Sequence, residues 1–247
     1  MFDLLPIASP LLYWGFIVLS VIVAGAVAFG INKTSKTGMG RFAFAIAAAW
    51  MGLTACLGWT GLLDAWEPPR MLFVLFPMLA WLAWSSRQPW TERLAELPLT
   101  ILVGFQSFRI IVELLLHQAV LEGVAHPTMT WSGTNLDIAA GVTALLLAPF
   151  ASRIDPRILQ GWNVTMAAVL VVTVVTGILA APSPFRQIMG NPPNGFVVGF
   201  PFVWLPTILV VSGWLGHIVL FRRLRRSIAA SKSDPSTKRS MICIISY

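Results

Sequence analysis

The chain has 247 residues, of which 57% are hydrophobic and only 11% charged, and its mean hydropathy is +0.78. A soluble domain carries about 25% charged residues, so the composition excludes an ordinary soluble enzyme and predicts an all-α, polytopic integral membrane protein. The net charge of +7 is not a nucleic-acid footprint, because the basic residues collect in particular loops as membrane topology requires.

Seven spans are predicted in chain order: Leu11–Ile31, Phe42–Leu63, Met71–Trp84, Leu97–Leu121, Leu136–Ala151, Trp162–Ala181 and Phe200–Phe221. The third and fifth are short against the ~17–25 residues a spanning helix uses. If the loop with Lys33 and Lys36 is cytoplasmic, every Lys and Arg lies on that side except Arg70, Arg186 and the intramembrane Arg109. The positive-inside rule then sets the N-terminus outside and the C-terminus in the cytoplasm. Trp59, Trp66, Trp84, Trp90, Trp131 and Trp162 lie near span ends, where interface anchors belong. Residues 1–230 form one seven-helix domain on this reading, and 231–247, ending in MICIISY, a disordered cytoplasmic tail. The opening MFDLLPIASP has no basic n-region and is not read as a cleaved signal peptide. Cys56 lies in a span and Cys243 in the tail, which disfavours a disulfide, and neither has metal-site spacing.

The fourth span carries the main functional clue. Gln106, Arg109, Glu113 and His117 follow at steps of three, four and four, which keeps them on one helix face. An arginine at mid-bilayer costs ~2.5–3.5 kcal/mol on insertion scales, so this stripe should face protein or water. Arg109–Glu113 and Glu113–His117 are the expected i,i+4 pairs. They would either neutralise each other structurally or line a pocket opening outward. Two outer loops could close over it. GVAHPTMTWSGTNLD offers Trp131, Asn135 and Asp137, the last two also able to cap the following helix. RQIMGNPPNGF offers Gln187, Asn191 and Asn194, as a surface turn or a segment dipping back into the protein. His217, counted about 25 Å down a helix starting at Phe200, falls near the cytoplasmic face as an interface histidine. A bis-histidine haem clamp with His117 is therefore disfavoured. Asn163 heads a sequon at the inner start of a span, where glycosylation is discounted.

Seven spans with an outer N-terminus resemble the topology of rhodopsins and G-protein-coupled receptors. A retinal Schiff base needs a lysine within the bundle, and the lysines here (Lys33, Lys36, Lys232, Lys238) all fall in loops or tail. No cofactor or metal is predicted. Expected partners are the lipid bilayer, a small-molecule or lipid ligand and a possible membrane-protein partner, with no nucleic acid. The function expected first is binding or transport of a small molecule or ion in the outer half of the bundle. Arg109 would supply charge complementarity, and transport would need a polar route to the cytoplasm. The alternatives are an intramembrane enzyme acting on a lipid-like substrate, and an accessory or scaffold subunit. Short loops suggest a bacterial inner membrane.

Overall fold

The computed structural model describes residues 8–35, 39–65, 69–133 and 135–233. Lys36, Trp66, Lys238, Cys243 and the MICIISY segment fall outside them. The described residues contain no β-strand and form nine α-helices: α1 Pro10–Thr34, α2 Met39–Trp59, α3 Leu72–Ser85, α4 Pro89–Leu94, α5 Leu99–Gly104, α6 Phe108–Leu121, α7 Asp137–Leu147, α8 Pro156–Ala180 and α9 Val210–Ser233. Five stretches are long and apolar enough to cross a membrane: Pro10–Thr34, Arg41–Trp59, Leu99–Leu121, Pro156–Ala180 and Leu205–Ser231. The third and fifth predicted spans correspond to the shorter apolar helices Leu72–Ser85 and Asp137–Phe150.

The last long helix is the hub. In its apolar window 61% of residues are buried, against 11% in Arg41–Trp59. It packs along α8, and α1 packs along both α2 and α6. Large apolar side chains on the perimeter, such as Trp14 and Ile22 of α1, Phe42 and Ile46 of α2, and Phe73 and Phe76 of α3, are exposed. So continuous an apolar exterior suits lipid and not water.

Local chemistry sets the helix ends. Ser9 caps α1 by accepting from the Leu12 N–H at 3.3 Å, with Pro10 at the first helical position, where its missing N–H costs nothing. Asp155 and Pro156 start α8 in the same way. Because α8 begins there, it starts six residues before the predicted Trp162 boundary. The seventh predicted span needs a larger correction. Residues 200–203 are not helical; a π-helical stretch, Leu205–Leu209, leads into α9. Pro206 lacks an N–H and its ring clashes with a regular preceding turn, so the chain widens there. The Thr207 carbonyl in this turn accepts from the Trp50 indole at 3.3 Å, and Trp204 returns a bond to the Met51 carbonyl at 3.1 Å. This double clasp ties α2 to the hub. At its far end α9 continues to Ser233, so residues 231–233 of the expected disordered tail are helical.

A second tie lies at the start of α1. The Glu122 carboxylate, just beyond α6, accepts from the Ser9 N–H at 2.8 Å, Ser9 Oγ at 2.6 Å and Gln118 Nε2 at 2.7 Å. Desolvation works to raise its pKa, but these hydrogen bonds outweigh it and hold the carboxyl below its ordinary value of 4.5. A lowered folded-state pKa stabilises the fold above the unfolded value and loses that contribution as pH falls through the folded one. The stability gap between wild type and Glu122→Gln should therefore be full above pH 4.5 and close below it, read from thermal unfolding midpoints.

At the α6–α7 crossing, a Cβ on Gly141 would sit 2.8 Å from the Ile110 backbone N and 2.8 Å from Ile110 Cγ1. Small residues allow such close helix approach in membranes. Gly141→Ala should lower stability by about 1–3 kcal/mol in thermal unfolding of the detergent-solubilised protein. Gly161→Ala, which meets nothing within 4 Å, should leave it unchanged.

Candidate functional site

The four residues of the stripe project inward from one nearly continuous helix, α5 and α6 joined by a 3-10 turn at Phe105–Ser107. Gln106 and Glu113 are fully buried and Arg109 is 2% exposed. They do not pair with one another as the i,i+4 spacing predicts. Gln106 reaches α9, Arg109 reaches α7 and α9, and Glu113 and His117 find their partners in the connection between α6 and α7.

Arg109 is held by Asp137, the first residue of α7. Its Nε donates to Asp137 Oδ2 at 2.7 Å, and Nη2 donates to Asp137 Oδ1, a two-point fork suited to a carboxylate. Arg109 Nη1 lies 3.1 Å from His217 Nε2. A guanidinium only donates, so His217 Nε2 accepts. The proton of the neutral ring is then on Nδ1, which donates to Asn163 Oδ1 at 2.8 Å. Asn163 Nδ2 in turn donates to the His217 carbonyl at 3.1 Å. Four residues from α6, α7, α8 and α9 thus form one hydrogen-bonded chain.

His217 as an interface histidine is corrected: it is 3% exposed and touches the intramembrane arginine. The depth count assumed a helix from Phe200. Counted from Leu205, His217 lies about 18 Å along, near the middle of the Leu205–Ser231 stretch. Asn163, passed over with its sequon, is its buried partner.

Glu113 takes a separate course. Asn135 Nδ2 donates to Glu113 Oε1 and to the Met129 carbonyl at 3.0 Å. Asn135 Oδ1 receives the Asp137 N–H at 2.9 Å and Thr173 Oγ1 at 2.7 Å. Asn135 thus satisfies an N–H at the start of α7, as a capping role requires, and joins the buried polar cluster. Thr173, on α8, was not singled out from the sequence. Glu113 Oε2 has no hydrogen-bond partner, and neither does Gln106 Oε1. Gln106 Nε2 donates to the Gly213 carbonyl at 3.1 Å. Gly216 makes room for it, since a Cβ there would lie 2.5 Å from that nitrogen.

His117 is only part-buried. Its ring stacks on Trp131 with centroids 4.3 Å apart, and Nδ1 lies 3.4 Å from Thr130 Oγ1. The 182–199 connection folds over the end of α8, where the Leu179 carbonyl receives the N–H groups of Gln187 and Ile188. Its two faces differ: the side chains of Gln187 and Asn191 are exposed, while Asn194 is 2% exposed. Asn194 Nδ2 donates to the Gly177 carbonyl at 3.0 Å, and its Oδ1 is unpartnered.

A cleft of about 210 Å³ runs between α3 and α8. Its walls are almost entirely apolar, with Met78, Leu82, Leu170 and Val174 among them, and Glu113, Asp137, Thr173 and Asn194 supply polar groups. A second hollow, about 490 Å³, adjoins the far end of the polar chain at Asn163 and His217 and carries Arg222 and Arg225. Among the described residues no group of three or more His, Cys, Asp or Glu could hold a metal ion. No protein family, curated protein or solved structure matches the chain.

Removing one partner of a buried ion pair strands the other charge. Asp137→Ala should cost about 3–5 kcal/mol in thermal unfolding, while the apolar double variant Arg109→Met, Asp137→Leu should recover most of that loss.

Proposed function

We propose that the chain crosses a membrane seven times, N-terminus outside and C-terminus cytoplasmic, and binds an apolar small molecule in the cleft between α3 and α8. The single observation that carries this reading is the cleft itself: its apolar walls include Glu113, a buried carboxyl whose Oε2 has no protein partner. Pockets that are mostly apolar with a few convergent polar groups are the usual form of small-molecule sites. The seven-span topology is supported by the charge asymmetry of the loops and by the two short apolar helices lying within the bundle. α3 rises only about 21 Å, a mismatch that local bilayer thinning accommodates. A bacterial inner membrane is the setting proposed from the short loops.

Binding comes ahead of transport. The polar route toward the cytoplasmic end leaves α6 and continues through His217 and Asn163, but it passes through Arg109, whose guanidinium does not give up its proton. The chain therefore works as a brace and not as a proton wire. The unpartnered Glu113 oxygen also suits a general base, which favours an intramembrane enzyme acting on a lipid-like molecule as the second reading.

Native mass spectrometry of the detergent-purified protein tests this. Wild type should carry a non-protein mass that is lost in Gly177→Leu, a substitution that places a side chain beside Met129 and Asn194 in the cleft. Glu113→Gln should weaken the retention, and if the enzyme reading holds, the retained molecule is chemically converted only in wild type. A bare wild-type protein, or one carrying only partner subunits, would move the assignment to a scaffold.

A further inference from the structure

We infer that the occupant of the α3–α8 cleft is a cationic amphiphile, an apolar body bearing a protonated amine that donates to Glu113, Asn194 and Thr173. The inference rests on the cleft-binding reading above and adds the chemistry of the head group.

The ionisable residues lining the cleft are the acids Glu113 and Asp137, and no Lys, Arg or His lines it. Glu113 Oε2 and Asn194 Oδ1 are both unpartnered, on side chains 0% and 2% exposed. Thr173 Oγ1 has given its proton to Asn135 Oδ1, so only its lone pairs remain. Asn194 has committed its amide nitrogen to the Gly177 carbonyl. A primary ammonium has three N–H bonds to give to such acceptors.

The charges agree. Arg109, the cation nearest the stripe, is forked onto Asp137 and is not among the residues lining the cleft. His217 accepts from Arg109 and is therefore a neutral ring. His117, one turn beyond Glu113, is stacked on Trp131. Once Arg109 and Asp137 cancel, Glu113 has no cation of its own, and its ionised form is costly there until one arrives. An ammonium supplies both the missing charge and the missing donors. A fatty acid or a phosphate ester would bring a second anion against Glu113 and Asp137, where no basic residue lines the cleft to receive it. The role expected of Arg109, charge complementarity toward a ligand, thus passes in the opposite sign to Glu113.

Isothermal titration calorimetry with dodecylamine, dodecanol and dodecanoic acid, on protein in an uncharged detergent at neutral pH, separates the possibilities. Wild type should bind dodecylamine at least about tenfold more tightly than dodecanol, with dodecanoic acid weakest. Glu113→Gln should bring the amine down to the level of the alcohol while alcohol binding persists. Asn194→Asp, which adds a second carboxylate at the same end, should tighten amine binding selectively, and it serves as the deciding variant if Glu113→Gln does not fold. Equal binding of amine and alcohol by wild type, or an amine preference that survives in Glu113→Gln, overturns the head-group assignment and leaves the cleft as a site. Absence of saturable binding by all three probes, or binding unchanged in Gly177→Leu, overturns the cleft reading itself.

Discussion

The bundle is built around one buried charge pair. Arg109 and Asp137 sit where neither charge can be solvated, and the attraction between them offsets part of the cost of placing each there. The pair fixes the rotation of α6 against α7, because both forked contacts form only when Asp137 faces Arg109. The absence of a side chain on Gly141, one turn along α7 from Asp137, lets the two helices approach at that crossing. Packing and electrostatics therefore select the same register.

From this pair the polar chain extends to the other helices. His217 brings in α9, and Asn163 brings in α8. Each link uses a donor and an acceptor already matched by the previous one, so the tautomer of His217 follows from the arginine it meets. Such connected networks are costly to disturb, since removing one member orphans its neighbour in a low-dielectric interior. Glu113 and Gln106 stand apart because each keeps one oxygen uncommitted. In Gln106 that oxygen lies beside α9, within the packed bundle. In Glu113 the residue borders open space, which makes it the chemically available member of the stripe.

The sequence made the stripe legible because helical periodicity is local: four polar residues at three- and four-residue steps share a face whatever surrounds them. It also pointed to a helical protein of largely apolar composition. Their partners were harder to read. Asp137 and Asn135 are recognisable as candidates for closing over the stripe or capping α7, but nothing in the spacing says that a residue 28 positions away in sequence pairs with Arg109. His217 was misplaced by an error in a helix start: Pro206 displaces regular helix to a later position, and a depth counted from Phe200 inherits the shift. Thr173 lies in a run of valines and threonines with no periodic signal to distinguish it. Gln187 and Asn194 share a loop and a polar character, and only the folding of that loop over α8 separates the exposed one from the buried one.

The cleft lies along the apolar perimeter, where Leu79 of α3 and Ile178 of α8 are exposed. On the binding proposed for this cleft, a molecule entering from a bilayer exchanges lipid tails for Met78, Leu82 and Val174, and hydrocarbon gains little by moving between two hydrocarbon surroundings. Tail length then governs how much of a compound partitions into the membrane, whereas the few oxygens at the polar end govern which compound stays. Recognition at such a site is carried by a handful of atoms, and its selectivity can change with a single side chain while the architecture that holds it remains intact.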